Sequence, residues 1–363
     1  MSMQRIPNYG SFMQAYSLKK MIEGFGHVVF FVDYKIEPSI TMRNQPRAWI
    51  KCYLKNKKRK WFNKGIINRI SQKNNKDKEI MWSCNNLLGL DENYRFNYKA
   101  DVLVIGSDEV FNCTQLGENV GYSLELFGKN ANTSKIITYA ASFGDTTYEK
   151  IQKYGITKDL TKWLLRINSI SVRDENSKEI ITQLCKKVPL LNLDPVLVSN
   201  IEKENWKKPN LNYQYIIIYG YKNRFSENEC VKILEFAKSQ NCKVIALGEK
   251  QFKYDAYIRC RPDEVLGYFS EAKYIITDTF HGSIFSIINH KKFVSIIRKS
   301  TEQSSGNAQK LGFLLKQLNL EDRLIDSMED LSEKLVNDID YEKVDKIREE
   351  EREKTLNYLK EHL

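Results

Sequence analysis

Tyr274-Ile-Ile-Thr-Asp-Thr-Phe-His-Gly-Ser-Ile-Phe-Ser-Ile-Ile288 reads as a strand, a polar turn and a helix in immediate succession. Ala272 to Ile276 is a short β-branched and aromatic run of the kind that fills a buried strand. Ile284, Phe285, Ile287 and Ile288 recur at spacings that form one face of a helix. His281 therefore falls near a helix N-terminus, where the first backbone N–H groups lack intrahelical partners and the dipole favours an anion. Gly282 and Ser283 are then candidates to meet a phosphate or carboxylate, beside an imidazole of the type that titrates near neutrality. The plainer alternative is that Asp278 or Thr279 caps the helix and His281 packs on the sheet.

The same grammar recurs along the chain. Asp101-Val-Leu-Val-Ile105 runs into Gly106-Ser-Asp108, Lys135-Ile-Ile-Thr-Tyr-Ala140 into Ala141-Ser-Phe-Gly144, and Ser169-Ile-Ser-Val172 into Arg173-Asp-Glu-Asn176. Nearer the start, Ser11 to Gly24 has helical spacing and Val28 to Tyr34 the composition of a strand. After Leu193-Asp-Pro195 and a polar run, Tyr215-Ile-Ile-Ile-Tyr219 begins a second alternating series, which ends in the strand Phe293-Val-Ser-Ile-Ile297. Strands alternating with helices predict an α/β fold with parallel sheets, whose ligands bind at the carboxyl ends of strands. The expected organisation is an N-terminal domain over 1–205, a C-terminal domain over 206–325 and a helical extension over 326–363.

With 363 residues, 42% hydrophobic and 28% charged, the chain suits two globular cores. No apolar run is long enough to span a bilayer and the start lacks a signal-peptide core, so the expectation is a cytoplasmic protein. Seven scattered cysteines without a Cys-x-x-Cys pair predict free thiols and no zinc site. The formal charge of +11 is concentrated: residues 43–79 hold thirteen basic and two acidic side chains, leaving the remainder near neutral. Trp49, Tyr53, Leu54, Trp61, Phe62, Ile66 and Ile67 are interleaved with those charges, the pattern of a basic amphipathic helix on an anionic membrane surface. A solvated helical insertion fits the same composition. No helix-turn-helix, RNP or zinc-finger pattern accompanies the charge, which argues against nucleic acid.

Six segments taken in order resemble the polysaccharide pyruvyl transferase family. They are Asn8-Tyr-Gly-Ser-Phe-Met-Gln-Ala-Tyr-Ser-Leu18, Ile105-Gly-Ser-Asp-Glu-Val-Phe-Asn112, Ser171-Val-Arg-Asp174, Leu193-Asp-Pro195, Ala272 to Ser286, and Leu320-Glu-Asp-Arg323. The resemblance implies two Rossmann-like domains facing a cleft, similar to GT-B glycosyltransferases, and transfer of pyruvate from phosphoenolpyruvate to hydroxyls of a hexose as a ketal. It suits cell-surface polysaccharide assembly on a sugar acceptor, free or lipid-linked. It also implies that His281 is the catalytic histidine and Arg173 the donor-binding arginine.

That chemistry needs a proton for the methylene carbon, a base for the acceptor hydroxyl, and cations or N–H donors for carboxylate and phosphate. His281 is the candidate acid/base. Arg173 offers a planar fork for an oxyanion, with a local salt bridge to Asp174 or Glu175 as the structural alternative. Asp108 and Glu109 are candidates to activate the acceptor hydroxyl. Asn8, Gly10 and Ser11 at the first helix start, and Gly106 and Ser107 at the first strand exit, are candidate substrate contacts. Arg298 and Lys299, past another strand exit, are candidate partners of the donor phosphate. No metal or other cofactor is expected, and His27, His290 and His362 are given no role. Two other readings fit the sequence: a nucleotide-sugar glycosyltransferase of similar fold, and a catalytically silent membrane-docking scaffold of polysaccharide assembly.

Overall fold

The computed structural model describes residues 1–61, 75–91, 93–115, 120–297 and 302–363. They form two compact units, Met1–Ser199 with Glu351–Leu363, and Asn200–Glu350. The sequence places the boundary at 205/206 and treats 326–363 as one extension; in the structure the last thirteen residues, 351–363, belong to unit 1. Tyr358 anchors them there, its hydroxyl donating to Thr138 O at 2.7 Å.

Unit 1 opens with α1 (Tyr9–Glu23), α2 (Pro46–Trp61) and α3 (Asn75–Leu88). It continues with β1 (Val102–Asp108), β2 (Lys135–Ala141), α4 (Tyr148–Lys153), α5 (Thr157–Leu164), β3 (Ser171–Val172), α6 (Glu175–Cys185), β4 (Leu190–Leu191) and α7 (Pro195–Val198). The four strands lie side by side in chain order, all parallel. Their buried faces close on an aromatic cluster in which Phe111 stacks on Phe127 with centroids 4.7 Å apart and Phe143 packs against both.

The strand expected over Val28–Tyr34 is not formed. Its β-branched composition supplies propensity, but a strand also needs a neighbour for its backbone N–H and C=O groups. At the free edge of β1 it is Met1 that pairs: its ammonium donates to Val104 O at 2.8 Å, and Gly106 N donates to Met1 O at 3.0 Å. A cavity of about 780 Å³ has Val28–Val32 and Val102–Val104 in its walls. Burial lowers the pKa of the Met1 ammonium to about 5, against the attraction of Asp33.

Unit 2 runs β5 (Tyr215–Tyr219), α8 (Glu227–Ser239), β6 (Lys243–Leu247), β7 (Ala256–Ile258), α9 (Pro262–Glu271), β8 (Tyr274–Thr277), α10 (Phe280–Ile288) and β9 (Lys292–Ile296). α11 (Glu302–Gln317), β10 (Leu324–Ile325) and α12 (Leu331–Val336) follow, and α13 (Tyr341–His362) begins in unit 2 and ends in unit 1. The strand and helix read from Tyr274–Ile288 are thus β8 and α10. All six strands are parallel, in the order β10-β9-β8-β5-β6-β7. The chain lays down β5, β6 and β7 in one direction, then crosses back to start β8 on the other side of β5. In such doubly wound sheets the ligand crevice opens beyond the carboxyl ends at that reversal. Here the reversal lies between Tyr219 and Thr277, which are paired across β5 and β8. No helix among the described residues is long and apolar enough to cross a membrane.

Candidate active-site residues at the strand ends

In unit 1 the exit of β1 is built around Gly106, whose φ of +126° and close approach to β2 both exclude a side chain: a Cβ would stand 2.2 Å from Tyr139 O. Ser107 Oγ, buried, donates to Gln14 Oε1 at 2.9 Å, and Gln14 in turn donates to Ser2 Oγ and Ser11 O. These bonds tie the β1 exit to the start of α1. Asn8 is the N-cap of α1: its Oδ1 accepts from Gly10 N at 2.8 Å and Ser11 N at 3.3 Å. Ser11 Oγ donates to Asp108 Oδ2 at 2.9 Å. Of the candidate substrate contacts, Ser11 bonds Asp108 directly, while Asn8, Gly10 and Ser107 are engaged in the α1 cap and the Gln14 link.

Arg173, the expected donor-binding arginine directly after β3, is engaged by two carboxylates of the protein itself. Its side chain is only 3% exposed, with Nη2 donating to Asp108 Oδ1 at 3.1 Å and Nη1 to Asp194 Oδ2 at 2.9 Å. The partners are not the adjacent Asp174 and Glu175 of the structural alternative; Asp174 instead caps α6 and accepts from Ser142 Oγ at 2.6 Å. Burial alone would push the guanidinium pKa down, but Asp108 and Asp194, then Glu109 and Asp174, outweigh it and hold it above its usual value. This arginine is a permanently charged strut between carboxylates. Glu109 is half-buried beside it, accepting from Asn112 Nδ2 at 2.8 Å. Gly144 (φ +57°) makes the space, since a Cβ there would lie 2.5 Å from both Glu109 Oε2 and Asn112 Nδ2. One arginine among four carboxylates makes these strand ends a poor host for an anion and a suitable one for a hydroxyl that must lose its proton.

In unit 2, Thr279 is the N-cap of α10, accepting from Gly282 N at 3.0 Å, while Ser283 N reaches Thr279 O at 3.2 Å. Ser283 Oγ is shared between Thr279 O at 3.1 Å and Ser295 Oγ at 2.6 Å, fully buried. The groups expected to meet a phosphate at Gly282 and Ser283 thus already have partners within the protein: their amides and hydroxyl complete the helix start. Gly282 is required for packing, because a Cβ would come within 2.1 Å of Thr277 Oγ1 and 2.8 Å of the Tyr219 ring. His281 occupies the second position of the helix, half-buried, its ring edge-on to Phe280 and 6.2 Å from Phe285. Thr279, Phe280 and His281 are the part of the helix start that reaches solvent.

Sequence reasoning passed over the neighbouring strand exit, Gly220 to Phe225. There Arg224 Nε donates to Asp278 at 2.7 Å; Asp278 is 1% exposed and Arg224 36%. The overlooked signal is positional: Gly220 follows a buried strand, as Asp278 does. Arg298 and Lys299 lie outside the described residues. Among the described residues no group of three or more His, Cys, Asp or Glu side chains is placed to hold a metal ion, and no disulfide is formed.

No curated protein matches the chain. Among solved structures, a putative UDP-N-acetylglucosamine 2-epimerase from Listeria monocytogenes is 10% identical, with a TM-score of 0.46 over 78% of this chain and 86% of that one. UDP-GlcNAc 2-epimerase from Neisseria meningitidis is 13% identical, with a TM-score of 0.41 over 77% and 89%. Residues 8–300 match the family model for polysaccharide pyruvyl transferase, and the chain belongs to that family of transferases.

Proposed function

We propose that this transferase moves pyruvate from phosphoenolpyruvate onto two hydroxyls of a hexose in a cell-surface polysaccharide precursor, free or lipid-linked. The observation that carries the reading is the family match over residues 8–300. In the first step the donor's methylene carbon gains a proton and an acceptor oxygen bonds to the adjacent carbon, whose double bond is lost. In the second, another hydroxyl of the same sugar displaces inorganic phosphate by breaking the carbon–oxygen bond, and its proton leaves with a base or the phosphate. The product is a ketal.

His281, half-buried at the β8 exit, is the group to deliver the first proton. Glu109 is the preferred base for the acceptor hydroxyl. Asp108 is 8% exposed and bound on both oxygens, whereas Glu109 is more open and sits in a locally acidic setting. The reading is tested by incubating the protein with phosphoenolpyruvate and galactose- or mannose-containing acceptors. Phosphate release with a pyruvyl mass on the sugar is expected; no turnover across a broad acceptor set would refute it. Thermal protection by nucleotide sugars but not phosphoenolpyruvate would favour the glycosyltransferase alternative.

The same proposal places the enzyme at the inner membrane face. α2 exposes Trp49, Ile50, Tyr53 and Leu54 on one side, among Arg47, Lys51 and Lys55, which supports contact with anionic lipid. Of the basic stretch 43–79, residues 62–74 lie outside the described residues. Cosedimentation with phosphatidylglycerol vesicles but not phosphatidylcholine vesicles is expected, and equal recovery in both pellets would count against it.

A further inference from the structure

The geometry points to Arg224 as an oxyanion-binding residue at the β5–β8 reversal of unit 2, gripping the phosphate or carboxylate of the donor. As a statement about the donor it rests on the pyruvyl-transfer reading; as a statement about an anion site it stands on the following contacts. Asp278, at the end of β8 and three residues before His281, is buried and takes Arg224 through Nε alone, at 2.7 Å. Among the described residues neither terminal nitrogen of Arg224 has a protein hydrogen-bond partner.

Other arginines of this protein show what a purely structural pair looks like. Arg5 uses Nε and Nη2 on the two oxygens of Asp33, at 2.7 and 3.1 Å, and Arg261 does the same with Asp263, at 3.0 and 3.1 Å. Arg173 uses both Nη atoms and is buried. Arg224 alone of these four is held by one nitrogen on a buried carboxylate, with its guanidinium about one-third exposed. The fork that remains is the one that binds planar oxyanions in two parallel bonds.

The loop that carries it is fixed in advance. Gln251, 4% exposed, accepts from Phe225 N at 3.1 Å and donates to Tyr221 O at 2.9 Å, and Phe225 is fully buried beneath. Asn223 N and Arg224 N are bonded to Lys250 O and Tyr221 O. Gly220 lets the parts close together: a Cβ there would lie 2.6 Å from the Phe225 ring and 2.9 Å from Asp278 Oδ1. Pre-fixing a charged donor in this way lowers the ordering cost of binding.

Binding of phosphoenolpyruvate, inorganic phosphate and pyruvate, measured by calorimetry and thermal shift on the full chain, tests the inference. Arg224→Ala is expected to weaken phosphoenolpyruvate roughly 10- to 100-fold, the range for charged hydrogen bonds. Arg224→Lys should fall between, and Lys232→Ala, on α8, should bind as wild type. Loss of phosphate binding assigns the fork to the phosphoryl group; loss of pyruvate binding assigns it to the carboxylate. The Arg224→Gln, Asp278→Asn double variant removes the charge while leaving no buried carboxylate unpaired, so it decides the matter if Arg224→Ala does not fold. Wild-type binding of phosphate but not phosphoenolpyruvate, lost on Arg224→Ala, keeps the site and refutes the pyruvyl-transfer reading. Unchanged affinity for all three anions in the Arg224 variants, or no anion bound by the wild type, overturns the inference.

Discussion

Arg173 and Arg224 stand at the carboxyl ends of parallel strands in different units, and each is bonded to a fully buried aspartate, yet their surroundings oppose each other. Arg173 is enclosed, shared between two carboxylates, with two more acting on it from further off. Arg224 is held by a single carboxylate and is partly open. A buried ion pair is poor evidence of function, since breaking it costs much while its net contribution to stability is small. What separates strut from ligand grip is how many of the guanidinium's donors the protein itself consumes. By that measure the two arginines part in a way the sequence does not show: Arg173 lies in a family-like segment, whereas Arg224 lies in a turn with no motif.

On the proposed reading donor chemistry falls to unit 2, so the largest expected effect is at His281. His281→Ala should lower turnover roughly 10²- to 10⁴-fold, the usual contribution of a positioned acid or base. Its melting temperature should stay near that of wild type, because the ring is half-buried and α10 keeps its Thr279 cap. Glu109→Gln should also reduce turnover, while thermal protection by phosphoenolpyruvate persists. Full activity in the His281 variant would remove the distinction between the two sets of strand ends.

Arg173 is the next test, and its readout is stability. Arg173→Met strands Asp108 and Asp194 as buried carboxylates and is expected to cost about 3–5 kcal/mol in urea unfolding. Arg224→Lys keeps a cation within reach of Asp278 and should move the midpoint far less while weakening phosphoenolpyruvate. A well-folded Arg173→Met protein that has lost only donor binding would invert the comparison.

Why one arginine was legible and the other not has a physical basis. Apolar runs bounded by small and polar residues encode local structure, and β1, β2, β5, β8 and β9 lie where those runs predict. Strand order is not local. The reversal between β5 and β8, which singles out the Gly220 and Asp278 turns, arises only when β8 crosses to the far side of β5. The link from Asp108 to Arg173 to Asp194 likewise joins residues far apart in the chain. Val28–Tyr34 shows the converse failure, with strand composition but no strand beside it to pair with. Gly10 and Ser11, like Gly282 and Ser283, read as ligand contacts from their place at helix starts, where a cap from Asn8 or Thr279 competes for the amides.

The smallest effect tests that competition directly. Ser283 Oγ bonds to Ser295 Oγ and to Thr279 O, in the buried layer under the α10 start. Ser283→Ala removes one side-chain partner and leaves Ser295 in a buried site, a change worth about 1 kcal/mol of stability. If the hydroxyl were a phosphate ligand, the same substitution would weaken phosphoenolpyruvate and inorganic phosphate together. The contacts require a slightly lower unfolding midpoint and unchanged affinity for both anions, in contrast to Arg224→Ala, where the affinities fall. A Ser283→Ala protein of wild-type stability with impaired phosphate binding would move the anion site from the Arg224 fork back to the helix start.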